Sequence, residues 1–216
     1  MSYWIELLTP SLLETLYMVF VSVFFTIIFG LPLGVILVVT DNNHILPSPW
    51  LNRVLSYVIN ITRSLPFIIL MIFIIPFTRL VVGTTIGTTA AIVPLVIAAT
   101  PFFSRVVETS IREVDWGVVE ASISMGATPS QIIFKVLIPE AMSSLILGVT
   151  ITIINILGYS AMAGVVGGGG LGDLAVRYGY QRFQTDVMIA TVILLIILVQ
   201  IIQTAGNKLA QNINKK

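Results

Sequence analysis

No cysteine occurs anywhere in the 216 residues, which removes disulfides, thiol nucleophiles and thiolate-held metals. Histidine is nearly absent: His44 stands alone, so one chain offers no His-pair metal site. Charge is scarce as well. Lys, Arg, Asp and Glu make up 10% of the chain, less than half of the roughly 25% usual in soluble domains. Eleven cations against ten anions leave a net charge of +1, too little for a nucleic-acid surface. No Gly-x-x-x-x-Gly-Lys-Ser/Thr is present, so the chain has no P-loop for a nucleotide. Nothing calls for a cofactor. The first cation is Arg53, so the positive n-region expected of a cleaved signal peptide is missing.

Apolar residues fill the space that charge vacates. They make up 56% of the chain, with a mean hydropathy of +1.02. A membrane span needs about 20 mostly apolar residues. Charge-free runs cover residues 15–40, 64–78, 80–104, 141–172 and 187–207. The 64–78 run becomes long enough if its helix starts before Arg63. The expected fold is therefore an all-α polytopic membrane protein forming a single domain over 1–216. Its five transmembrane helices fall at about 14–39, 57–77, 86–106, 141–165 and 186–205. Membrane lipid is its solvent. Glu14 and Asp186 fall at span ends, and no acidic residue lies mid-membrane. Pro32, Pro66, Pro94 and Pro101 are expected to kink spans, and Gly30-x-x-x-Gly34 gives the first helix a face for close packing.

Five spans put the termini on opposite sides, and the positive-inside rule chooses between them. With the N-terminus outside, the inner side holds Arg53, Arg63, Arg105, Arg112, Lys135, Lys208, Lys215 and Lys216, against Arg79, Arg177 and Arg182 outside. Eight against three selects N-out, C-in. Arg63 then either snorkels to the inner interface or acts near an inner mouth.

One inner segment is long. Residues 105–140 carry eight of the 21 charges and read as two short helices joined by a turn. The first runs from Asp115 to Met125, with Gly126 after its end. The second starts with Thr128 as N-cap, Pro129 in the first turn and Gln131 closing a capping box. Pro139 is expected to stop it. Such a hairpin is too small for a catalytic domain. By physics alone it either docks into a partner's groove or lies on the membrane surface.

The residue order in this loop separates the two. Glu120-Ala121-Ser122, three residues, Gly126, nine residues and Val136-Leu137-Ile138-Pro139 resembles the Glu-Ala-Ala, Gly, Ile-x-Leu-Pro loop of ABC importer permeases. Ser122, Val136 and Ile138 depart from that pattern by small or apolar exchanges. Arg63-Ser64-Leu65-Pro66-Phe67, Ile75-Pro76-Phe77-Thr78-Arg79 and Ser124-Met125-Gly126-Ala127-Thr128-Pro129 resemble the methionine importer permeases in particular. So do Gly158-Tyr159-Ser160-Ala161-Met162, Gly169-Gly170-Leu171-Gly172 and Tyr178-Gly179-Tyr180.

The resemblance implies a homodimer flanked by two cytoplasmic ABC ATPase subunits, with an extracytoplasmic binding protein delivering methionine. It implies that the 115–139 loop couples to the ATPase through Asp115, Glu120, Ala121, Ser122, Gly126, Ala127, Pro129 and Pro139. Glu120 would make a polar contact and Gly126 would allow close helix approach. Pro66, Ser160 and Met162 would belong to the pathway or its gate, with plain packing an equal reading for the last two. Arg177, Tyr178, Tyr180 and Arg182, after a flexible Gly-rich turn, would meet the binding protein or simply line a solvated loop.

Enzyme readings fall away on geometry. Gly167-x-Gly169-x-x-Gly172 fits a dinucleotide fingerprint by letter but follows a membrane span where a β-strand is needed. Gly158-x-Ser160 lacks the last glycine of a nucleophile elbow, and His44 lies across the membrane from it. Asn60-Ile61-Thr62 matches a glycosylation acceptor at an inner span end, where it has no meaning. A secondary transporter would show internal repeats and intramembrane ionisable groups, and neither is visible.

Overall fold

The computed structural model describes residues 2–214, and among them only helices and connecting turns occur. Lys215 and Lys216, two of the cations counted for orientation, lie outside the described residues. Among the described residues four helices are long and apolar enough to cross a membrane, and a bent pair that passes the same test together is either a fifth, broken span or a re-entrant loop. The five-span expectation matches the upper of these two counts, with one change of form.

Helix α1 (Ser2–Val39) starts twelve residues before the expected position 14 and runs through Pro10 and Pro32. It packs along α5 (Thr88–Arg112), and glycine sets the distance. A Cβ at Gly34 would meet Val107 Cβ at 2.5 Å, and one at Gly30 would meet Phe103 at 2.8 Å. The expected small-residue face is this contact.

The second span is broken where one helix over 57–77 was expected. Helices α2 (Pro49–Ser64) and α3 (Phe67–Phe73) meet at 103°. Leu65 is extended, with ψ 127°, because Pro66 excludes the helical region for the residue before it. A further break at Ile74 starts α4 (Ile75–Val82), which ends at left-handed Gly83.

After α5 come the short helices α6 (Trp116–Ser124) and α7 (Pro129–Ile132), a π-turn (Ile133–Leu137) and α8 (Ile138–Glu140). Pro139 does not stop the helix. Proline brings no N–H to the ladder, and the turn before it widens so that Ile138 N–H bonds to Ile133 C=O. The chain then passes almost directly into α9 (Met142–Val165). Helix α10 (Gly170–Leu174) and a second π-turn (Ala175–Tyr180) lead to α11 (Thr185–Asn214). α11 packs on α9, where a Cβ on Gly206 would collide with Thr150.

Two of the three apolar clusters among the described residues lie along the bundle. One joins Met18, Val19, Leu95, Ala99 and Ile156. The other joins Val38, Val107 and Ile111 to Val119, Ile132 and Leu137 of the short helices. The loop is thus built into the bundle by its own buried residues.

Candidate functional site

At the loop end, α6 is capped as the sequence predicts: Asp115 Oδ1 accepts from Gly117 N–H at 2.6 Å. The capping box on α7 is complete, with Thr128 Oγ1 accepting from Gln131 N–H and Gln131 Oε1 from Thr128 N–H at 2.8 Å. Between them the chain reverses at Gly126, whose φ is +80°. Gly126 N–H bonds to Ile123 C=O and Ala127 N–H to Ser122 C=O, a Schellman ending. Within this chain a Cβ at Gly126 would touch nothing, so the close helix approach expected there is an approach by a partner. Glycine is required by the left-handed backbone, and the space beside it is open.

The hairpin has two unlike faces. Val119, Ser122, Ile132 and Leu137 are buried against the bundle. Glu120, Ala121, Pro129 and Pro139 are exposed, and so are large apolar groups: Met125 at 81%, Phe134 at 70%, Ile123 and Trp116. Ala127 is half-buried in the turn.

A chain of charges ties this end together. Arg112 meets Asp41 at 2.7 Å and Glu108 at 3.1 Å, and Arg105 meets Glu108 at 2.6 Å. Arg105 also donates to Ser56 C=O and Asn60 Oδ1, across to α2. The Arg112 contact, helped by Asn42 N–H, holds the Asp41 carboxyl below its ordinary range. His44 packs edge-to-face on Trp116, with centroids 5.3 Å apart. Burial, with the nearby Arg112 charge, keeps its imidazole below the usual value, and its Nδ1 has no partner among the described residues.

An open cavity of about 640 Å³ lies between α2, α5 and α9 at this same end. Arg63, Arg105, Glu108, Arg112 and Glu113 border it, while Phe102, Val106, Leu147 and Ile151 form its apolar lining. Ser144 donates its hydroxyl to Glu113.

At the opposite end the glycine segment is not the flexible turn expected of it. Gly170, Leu171, Gly172, Asp173 and Leu174 are all buried. α1 holds them: Glu14 accepts from Gly170 N–H at 2.7 Å and Thr15 Oγ1 from Leu171 N–H at 2.8 Å. Beyond this grip, Arg177 pairs with Asp173, and Arg182 stacks over Tyr178 at 4.3 Å. Tyr180 and Phe183 project, and Phe183 has a φ of 56°. Two of the four residues expected here, Tyr178 and Arg182, stack on one another, and Arg177 pairs with Asp173, which was not singled out in the sequence.

The three pathway candidates do not converge. Pro66 caps α3 and is exposed. Ser160 is buried and donates to Leu157 C=O, whereas Met162 lies on an exposed side of α9. Among the described residues no cluster of His, Asp and Glu could hold a metal ion.

These features define a multi-pass helical membrane protein whose structured aqueous element is a docking-sized loop. The chain belongs to the family of binding-protein-dependent transport system inner membrane components, whose family model matches residues 30–215. It is 52% identical over 211 residues to the probable D-methionine transport system permease protein MetI of Vibrio cholerae, covering 98% of this chain and 94% of that protein. With the D-methionine transport system permease protein MetI of Escherichia coli it shares 52% identity over 158 residues, 73% of each chain. A native crystal form of the inward-facing MetNI methionine ABC transporter superposes with a TM-score of 0.95 at 49% identity, over 97% of both chains. An amino acid ABC transporter crystallised with histidines shares the fold at a TM-score of 0.79 and 20% identity.

Proposed function

We propose that this chain is the permease of an ATP-driven importer of methionine, working as a pair of identical chains with two cytoplasmic ATPase subunits and an outer methionine-binding protein. The observation that carries the reading is the 115–139 hairpin. It is rigidly capped, buried on one side and left with an apolar, Glu120-bearing face on the other. Solvent does not stabilise such a face, and a protein groove does. The relatives named as methionine permeases support the substrate.

ATP is bound and hydrolysed by the partner, and this chain supplies the mechanical link. Val119, Ile132 and Leu137 share a core with Val38, Val107 and Ile111. A push on the hairpin therefore moves the ends of α1 and α5 with it, and the Arg105 bonds carry the displacement to α2. The excess of cations on the loop side supports an N-out, C-in orientation. Arg177, Tyr178, Tyr180 and Arg182 then face the binding protein, and Pro66, Ser160 and Met162 lie along the route between the two sides.

The test is uptake of labelled L-methionine by cells with and without this chain, with ATP-depleted and protonophore-treated controls. Uptake is expected to need the chain and ATP. Gly126→Arg, which fills the open space beside the turn, is expected to abolish uptake, while Gly126→Asn, tolerant of positive φ, keeps most of it. Normal uptake by Gly126→Arg would sink the coupling assignment, and ATP-independent uptake would sink the mechanism.

A further inference from the structure

We infer that the cavity between α2, α5 and α9 is a low-affinity exit site that holds the amino acid as a zwitterion, with Arg63 taking the carboxylate and Glu113 the ammonium. This rests on the import reading above and assigns that reading a site in this chain. Among the described residues, Arg105 and Arg112 are already neutralised by Glu108 and Asp41. Arg63 and Glu113 are the two charges of the cavity without an ion pair, although Glu113 accepts the Ser144 hydroxyl. One free cation and one free anion in a single concavity match a zwitterion and leave a simple anion or cation half-satisfied.

The rest of the lining sets the side chain. Thr109, Ser110 and Ser144 also border the cavity, and Phe102, Val106, Leu147 and Ile151 form an apolar wall against which an uncharged side chain packs. Arg112 and Glu113 mark the loop end of the cavity, and Phe102 on α5 and Ile151 on α9 lie further into the bundle. A bound amino acid therefore lies with its ammonium at Glu113 and an uncharged thioether or alkyl chain against the apolar wall. At about 640 Å³ the space is within the range of small-molecule sites. Arg63 stands in the last turn of α2, immediately before the 103° break at Leu65 and Pro66. Movement at that break moves the carboxylate-binding group relative to α5 and so releases the ligand.

The measurement is equilibrium binding of labelled L-methionine to the assembled transporter in nanodiscs, ATP-free and without the binding protein. Wild type is compared with Arg63→Gln, Arg63→Lys and Glu113→Gln, with assembly and ATPase activity checked for each. We expect Arg63→Gln and Glu113→Gln to weaken one site per permease chain at least about tenfold, the scale of a lost charged hydrogen bond, and Arg63→Lys to restore part of it. Competition supplies a readout that a folding defect would not move. In wild type, methionine methyl ester, which lacks the carboxylate, competes poorly, and Arg63→Gln removes that difference. Unchanged site number and affinity in both neutral variants would overturn the exit site. Absence of ATP-dependent methionine uptake by wild-type cells would overturn the import reading instead.

Discussion

His44, the single histidine, sits where a charge is unwelcome. Its imidazole is partly buried on Trp116 and near the Arg112 guanidinium, so the folded protein resists protonating it, while Asp41 only partly offsets this. A base whose folded pKa is lowered binds more protons unfolded, so stability falls as pH drops below about 6.5 and continues falling to the folded value. Asp41 works in a lower window: its stabilisation is present above its ordinary 3.8 and is lost only as pH falls through its lowered value. Just below about pH 6.5 the slope of melting temperature against pH therefore belongs in part to His44. His44→Gln is expected to flatten it, and thermal unfolding of the purified protein at several pH values checks this. Single residues with local partners were legible in the sequence: Asp115, Thr128, Gln131 and Gly126 act on groups two or three positions away. The Arg112–Asp41 pair and the Glu14 grip on Gly170 were not, because they join residues 71 and 156 positions apart. No local pattern encodes such a meeting.

At the scale of elements, the capping box should govern the hairpin. α7 holds four residues before its helix widens into the π-turn, so it has little propagation to offset the cost of starting. Thr128→Ala is expected to cost about 1 kcal/mol, and faster amide exchange over residues 129–137 with unchanged exchange in α9 is the measurement. The long spans were readable because charge-free length is a property of the sequence itself. Form was harder. Pro66, Pro94 and Pro101 look alike in the sequence, yet only Pro66 breaks its helix. Pro94 and Pro101 are buried within α5, whose neighbours hold it in line, while Pro66 is exposed and has less to hold it. The glycine run misleads for the opposite reason. Glycine permits a loose turn and a tight contact equally, and only the presence of Ala161 beside Gly172 and Thr15 beside Gly170 decides.

For the whole molecule, the absence of cysteine offers a direct test of sidedness. Single cysteines at Ser124 and Tyr180, both exposed, mark opposite ends of the bundle. A membrane-impermeant maleimide added to cells with a permeabilised outer envelope is expected to label Tyr180→Cys at once. It should label Ser124→Cys only after the inner membrane is opened. The reverse pattern would invert the proposed orientation.

α1 acts as a strut. From Thr15 to Val39 it extends about 36 Å, at roughly 1.5 Å per residue. About a third of the way along it Glu14 and Thr15 grip the buried glycine segment, and just past its far end Asp41 holds Arg112 beside the 115–139 hairpin. Gly30 and Gly34 seat its length on α5 with no slack for sliding. A strut clamped at three separate places can tilt but cannot shorten. Whatever shifts the loop end must therefore either tilt the glycine end in the same stroke or break one of three identifiable clamps.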